Sequence, residues 1–155
     1  MANKSKCSIV LPTYNEANNI KIIINNLIKL LWNNYEYEII VIDDNSPDKT
    51  WEVVEQQYAG NQNIYCFRRI KKRGLSSAIV DGFMLSNFNN MIVLDADLQH
   101  DLKLVPIIID KLSNDLDLVI GSRYMHDDLI NDWNFSRRLL SKFATKVSNI
   151  IQDSI

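Results

Sequence analysis

Short apolar runs rich in β-branched residues recur at 7–11, 38–42, 63–67, 91–94 and 116–120, and the stretches between them, at 19–32, 50–58, 75–87 and 104–112, carry apolar residues at helical spacing. Runs this short and this uniformly apolar read as strands buried on both faces. Strict alternation of strand and helix leaves few architectures open, because a crossover helix joins parallel strands. The pattern therefore predicts an α/β fold, a mostly parallel central sheet flanked by helices. A further segment, 135–152, places Leu139, Leu140, Phe143, Val147, Ile150 and Ile151 on one helical stripe and Arg137, Arg138, Lys142 and Lys146 elsewhere. That is the pattern of a basic amphipathic helix. With 155 residues and no linker-like stretch, the chain is expected to form a single domain over 1–155.

Charge and cysteine content narrow the function. The formal net charge of -2 gives no positive field to hold a nucleic-acid backbone, so nucleic acid is not an expected partner. Cys7 and Cys66 sit in strand-like runs without a CxxC pairing and are expected to be free thiols of a reducing compartment, which points to the cytosol. No apolar run has the length of a membrane span, and the first residues lack a signal-like apolar core.

In sheets of this kind ligands bind beyond the carboxyl ends of the strands. Here those ends are acidic and polar. The first strand runs into Pro12-Thr13-Tyr14-Asn15-Glu16, the second into Asp43-Asp44-Asn45-Ser46, the fourth into Asp95-Ala96-Asp97-Leu98-Gln99 and the fifth into Gly121-Ser122-Arg123. In extended backbone Asp95 and Asp97 project to one side, with Ala96 turned away and Gln99 continuing the acidic side. Two carboxylates and an amide oxygen suit Mg²⁺ or Mn²⁺, although the same acids could equally cap the next helix. Asp44 could accept hydrogen bonds from a nucleobase or ribose, and Asn45 could take a left-handed turn. Ser46-Pro47-Asp48 reads as an N-cap, first helical position and dipole-favoured acid. Thr13 to Glu16 reads as a capping box opening the first helix, while Tyr14 could stack on a base or sugar. Arg123, and Arg137 with Ser141 one turn on, could converge on an anion or be ordinary surface groups. His100 and His126 fit no metal spacing and receive no role.

Taken in order, Val10-Leu11-Pro12-Thr13-Tyr14-Asn15-Glu16, Val41-Ile42-Asp43-Asp44-Asn45-Ser46-Pro47-Asp48, Arg73-Gly74-Leu75-Ser76-Ser77-Ala78, Asp95-Ala96-Asp97-Leu98-Gln99 and Gly121-Ser122-Arg123-Tyr124 resemble the dolichol-phosphate mannose synthase group of family 2 glycosyltransferases. Nearly the whole chain is covered. The resemblance implies the GT-A fold and an inverting, metal-dependent transfer of a sugar from a GDP- or UDP-linked donor, GDP-mannose among them, to a polyprenyl or dolichyl phosphate. It implies that Pro12, Tyr14, Glu16 and Asp44 contact the nucleoside. Asp95, Asp97 and Gln99 would surround the Mg²⁺ or Mn²⁺ and the diphosphate, with Ala96 in the same donor-binding segment. Arg123, Arg137 and Ser141 would position the acceptor phosphate and, with Asp97, make up the catalytic set. A phosphate acceptor is already ionised near neutral pH, so arginines that place it can stand in for a general base.

A lipid-linked phosphate acceptor implies a peripheral place at the cytosolic membrane face, and the basic positions and apolar stripe of 135–152 suit an anionic leaflet, the rival being a helix simply packed on the domain. Family members continue into a D-P-x-S-G-F-like segment, whereas this sequence stops at Gln152-Asp153-Ser154-Ile155, so acceptor closure is expected to be incomplete. Other readings are a family 2 transferase with a saccharide acceptor, a non-catalytic fragment that binds nucleotide sugars, and a response-regulator-like signalling domain. The last lacks a lysine after the fifth strand.

Overall fold

The computed structural model describes residues 4–121 apart from Lys72, Asn114 and Asp115. The chain divides into two units, Met1–Val119 and Ile120–Ile155, and the fold described is that of the first. Strand and helix alternate as the pattern predicts: β1 (Lys6–Thr13), α1 (Ile20–Leu31), β2 (Glu36–Asp43), α2 (Thr50–Gln57), β3 (Ile64–Arg68), α3 (Leu75–Leu85), β4 (Met91–Val93) and α4 (Leu104–Leu112). All four strands run parallel in the order β3-β2-β1-β4. The chain steps outward from β1 to β3 and then crosses back to place β4 on the other side of β1. The carboxyl ends of β1 and β4 therefore flank the point where the order reverses, which is where such sheets open a ligand crevice.

Side-chain alternation along the strands builds two apolar layers. Cys7, Ile9 and Leu11 of β1 and Ile39 and Val41 of β2 pack with Ile20, Ile23, Ile24, Leu27 and Leu31 of α1, with Val54 of α2 and with Val105 and Ile109 of α4. Val10, Ile40 and Ile42 face the other way, onto Ala78 of α3. Pro12, which has no N–H to give, stands where β1 has outrun its ladder to β4, the last paired residue there being Val10. Glu38 lies inside this apolar frame at 4% exposure, and its carboxylate is matched by Ser8 Oγ, the Asn87 N–H and Asn87 Nδ2. Burial pushes the Cys7 and Cys66 thiols up to about 12, helped by Glu38 beside Cys7 and by Asp43 and Glu55 near Cys66, so both stay neutral.

One strand expected from the sequence does not form. Residues 116–120 are described and join no ladder, and Leu116, Leu118 and Ile120 are 49%, 73% and 74% exposed. Apolar β-branched sequence supplies propensity only. A strand also needs a neighbour to pair with, and the described sheet ends at β4.

Close approach of α3 to the sheet depends on Gly82. A Cβ placed there would lie 2.3 Å from Cγ1 of Val10, which is fully buried and cannot swing aside. Gly82→Ala is expected to lower the unfolding free energy by roughly 1–3 kcal/mol through overpacking, despite the better helix propensity of alanine. Urea denaturation checks this, with an unchanged midpoint as the contrary result.

Candidate functional site

The two loops that leave the carboxyl ends of β1 and β2 are laced together. Asn15 N–H donates to Ser46 Oγ at 3.0 Å, Glu16 N–H to Thr50 Oγ1 at 2.9 Å, and Ala17 N–H to Asp48 Oδ2 at 3.0 Å. Beneath them Asp43, fully buried, accepts from Thr13 Oγ1 at 2.9 Å, from the Ser46 N–H at 2.8 Å and from Ser46 Oγ. Asn15 and Asn45 take φ values of 63° and 55°, the left-handed turn that asparagine tolerates best after glycine. For Asn45 this is the conformation expected.

These contacts correct both capping assignments. Thr13 ends β1 and spends its hydroxyl on Asp43, while α1 begins at Ile20 with Asn19 before it; Glu16 Oε2 accepts from Asn19 Nδ2 at 2.8 Å. The Ser46-Pro47-Asp48 run is not the first turn of α2, which starts at Thr50 behind Lys49 in a left-handed conformation. Asp48 instead accepts the Thr50 N–H at 3.1 Å and the Thr50 hydroxyl at 2.6 Å. Partial burial alone would raise its pKa, but hydrogen bonds from Thr50 and Ala17 outweigh that and lower it. The Thr13 hydroxyl goes to Asp43, 30 residues on, and Ser46 Oγ, which donates to Asp43 three residues back, accepts from Asn15, 31 residues away, rather than from its own helix.

Asp44 opens the β2 loop at 7% exposure, and its carboxylate is held by Arg69 and by the Gly74 N–H at 2.7 Å. Tyr14 is 48% exposed, with the Arg73 guanidinium 5.2 Å from its ring centre. Gly74 follows Arg73 directly, so Tyr14, Arg73, Gly74 and Asp44 form one rim across the ends of β1, β2 and α3. Pro12 is buried and Glu16 half-buried. Within the expected nucleoside set, Tyr14 is the side chain most open to a ligand.

Across the switch point, Asp95 is exposed, Ala96 is buried in the core at 3%, and Asp97 is half-buried. The alternation expected is therefore kept from Asp95 to Asp97 but stops at Leu98, which is itself 44% exposed, so extended backbone does not carry it on to Gln99. Asp97 Oδ1 accepts the Gln99 N–H at 2.9 Å, and Leu98 takes a φ of 62°, an uncommon value for a leucine. His100 Nε2 lies 3.2 Å from Asp95 Oδ2. No group of three or more His, Cys, Asp or Glu forms a cage for a metal among the described residues. Two carboxylates without a cage still suit Mg²⁺ or Mn²⁺, which completes its shell with water and substrate phosphates.

Arg123, Arg137, Ser141 and the 135–152 helix lie outside the described residues. Arg69 escaped sequence reasoning altogether, while Arg73 and His100 received no role there although they contact Tyr14 and Asp95. The parallel register could have located Arg69, since Asp43 pairs with Arg68 and the next residues along both strands are Asp44 and Arg69.

The glycosyl transferase family 2 model matches residues 8–154. A dolichol-phosphate mannosyltransferase of Pyrococcus furiosus is 39% identical over 145 residues, 94% of this chain and 41% of that protein. A protein of the same description from Mycosarcoma maydis is 33% identical over 144 residues, 89% of this chain and 49% of its own. A polyprenol monophosphomannose synthase of Mycolicibacterium smegmatis is 29% identical over 147 residues, 92% of this chain and 54% of its own. The chain thus spans about half the length of the curated relatives it matches. Among solved structures, a mannosyltransferase from Pyrobaculum calidifontis in complex with GDP-Man and Mn²⁺ superposes with a TM-score of 0.53 at 23% identity, over 62% of this chain and 28% of that one. That likeness shows the fold.

Proposed function

The chain belongs to glycosyl transferase family 2, and from that premise we propose that it forms the donor-binding part of an inverting transferase that moves a mannosyl group from GDP-mannose to a polyprenyl phosphate. The observation that carries the reading is the pairing of two acidic strand ends across the switch point, Asp44 after β2 and Asp95 with Asp97 after β4, on a sheet whose neighbouring loops hold an exposed tyrosine. The relatives named as mannosyltransferases, and the GDP-Man and Mn²⁺ bound by the fold neighbour, support the choice of donor.

In this reading Tyr14 offers a ring face to the base, and Asp44 accepts a hydrogen bond from the nucleoside. Asp95, Asp97 and Gln99 would hold Mg²⁺ or Mn²⁺, whose chemistry is to offset the charge of the departing diphosphate. Arg123, Arg137 and Ser141, by the family resemblance, orient the acceptor phosphate in line with the anomeric carbon. Attack from the face opposite the leaving group inverts the configuration, through an oxocarbenium-like transition state. The phosphate nucleophile arrives ionised, so this chain's residues need only place it. The basic stripe at 135–152 would meet an anionic membrane surface at the cytosolic face. No helix among the described residues is long and apolar enough to cross a membrane. The strand order 3-2-1-4 also differs from the 2-1-3 order of flavodoxin-like signalling domains, which removes that rival.

Titration calorimetry with GDP, UDP and guanosine tests the proposal. GDP is expected to bind more tightly with Mn²⁺ than with a chelator, and Asp44→Ala is expected to weaken guanosine by about tenfold, the worth of one hydrogen bond to a charged group. A wild-type chain that binds no nucleotide under either condition overturns the reading. Transfer to a short polyprenyl phosphate but not to a saccharide then separates the lipid acceptor from a sugar acceptor.

A further inference from the structure

Arg69 directly follows β3 and is 8% exposed, a burial that an arginine tolerates only when its donors are matched. Its partners are Asp44 just after β2, Gly74 just before α3, and Ser77 and Asp81 within α3. Nε donates to Asp44 Oδ1 at 2.6 Å, and Nη2 pairs with the same oxygen. Nη1 reaches Ser77 Oγ at 2.9 Å and Asp81 Oδ2 at 3.1 Å, and Nη2 reaches the Gly74 carbonyl at 3.1 Å. The Gly74 N–H closes the ring on Asp44 Oδ2 at 2.7 Å. Gly74 makes that return with a φ of 123°, which a side chain would strain.

A carboxylate offers about four acceptor positions. Among the described residues, Nε of Arg69 takes one position on Oδ1, Nη2 is ion-paired with the same oxygen, and the Gly74 N–H takes one on Oδ2. We propose that Arg69 is the positioning residue of the nucleoside rim: it locks Asp44 in one orientation against α3 through Oδ1 and leaves acceptor capacity on Oδ2 for an N–H or O–H of the ligand. The inference rests on the reading that this rim takes a nucleoside. The Asp44 side chain keeps 10% of its surface exposed, so a ligand meets it through a narrow opening with the carboxylate already aimed. Fixing the acceptor before binding spares the ordering that a free side chain would undergo on association. Lysine can supply the charge but not the planar fork that grips Oδ1 while reaching Ser77 and Asp81.

The test is a double-mutant cycle, with GDP and Mn²⁺ as the probe and circular dichroism melts as the check on folding. Arg69→Lys is expected to weaken GDP about tenfold in an Asp44 background, and to add no further loss once Asp44→Ala is present. A purely structural arginine would lower the melting temperature and leave GDP affinity of the folded protein unchanged, and that result overturns the inference. So do losses that simply add in the double variant. Should Arg69→Lys fail to fold, Ser77→Ala removes one brace and leaves the ion pair intact; a loss of about threefold supports the role and an unchanged affinity overturns it. Wild-type protein that binds no GDP overturns the proposed function and this inference with it, whereas undiminished GDP binding by Arg69→Lys overturns the inference alone.

Discussion

Asp97→Asn is expected to bind GDP in the presence of Mn²⁺ no better than the wild type does with a chelator, a loss on the order of a hundredfold where the metal link is worth about 2.7 kcal/mol. The substitution is chosen for what it keeps. Asp97 Oδ1 accepts the Gln99 N–H at 2.9 Å, and an asparagine oxygen can hold the same turn, so the backbone around Leu98 has no reason to move. Only the charge goes. A hard divalent cation bound by few protein oxygens depends on each carboxylate, because amide oxygens are weaker ligands and the remaining positions belong to water and phosphate. Metal-free affinity for GDP should be unchanged, since Tyr14 and Asp44 carry that part, and the melting curve should match the wild type. Calorimetry with and without Mn²⁺ reads all three quantities, and a variant whose GDP affinity still rises with Mn²⁺ removes Asp97 from the metal site. Sugar transfer should fall at least as far as binding, because the diphosphate gains charge as it leaves and needs more stabilisation in the transition state than before it.

The burial pattern of Asp95 to Asp97 could be read from sequence because it is contiguous: two acids one residue apart, with a small residue between them that turns into the core. The same holds for α1, whose buried Ile20, Ile23, Ile24, Leu27 and Leu31 repeat at helical spacing, and for α4, which spans the expected residues. Legibility fails where a side chain's partner is distant in sequence. Thr13 and Ser46 each matched a local capping pattern, yet the Thr13 hydroxyl is bound to Asp43 and Ser46 Oγ accepts the Asn15 N–H, and Arg69 is explained only once β2 and β3 lie in register. Local motifs describe the oxygen that is available. Tertiary structure decides which donor reaches it. The run at 116–120 is the converse case, a strand-like sequence without a pairing neighbour among the described residues.

Asp43 should be the residue whose loss costs the fold most at this end of the sheet, although its neighbour Asp44 is the candidate for ligand contact. It is fully buried and takes three donors, the Thr13 hydroxyl, the Ser46 hydroxyl and the Ser46 N–H, while its carbonyl accepts the Arg69 N–H at 2.8 Å. Asp43→Ala leaves two hydroxyls and an amide facing a void, and each buried group left unmatched costs about 1–3 kcal/mol. Some of that is recovered if water enters, which gives a net loss of roughly 3 kcal/mol and a melting temperature lower by about 10 °C for a chain of this length. Asp43→Asn retains one acceptor oxygen, and both hydroxyls can rotate to accept from its amide, so its cost should be nearer 1 kcal/mol. The order wild type, Asn, Ala in urea midpoints is the signature of a hydrogen-bonded tie. Equal losses for Asn and Ala would mean that the charge, and not the donor count, is what the site requires. Nucleotide affinity measured well below the melting transition should also weaken in Asp43→Ala, because the tie fixes the spacing of the loops that carry Tyr14 and Asn45.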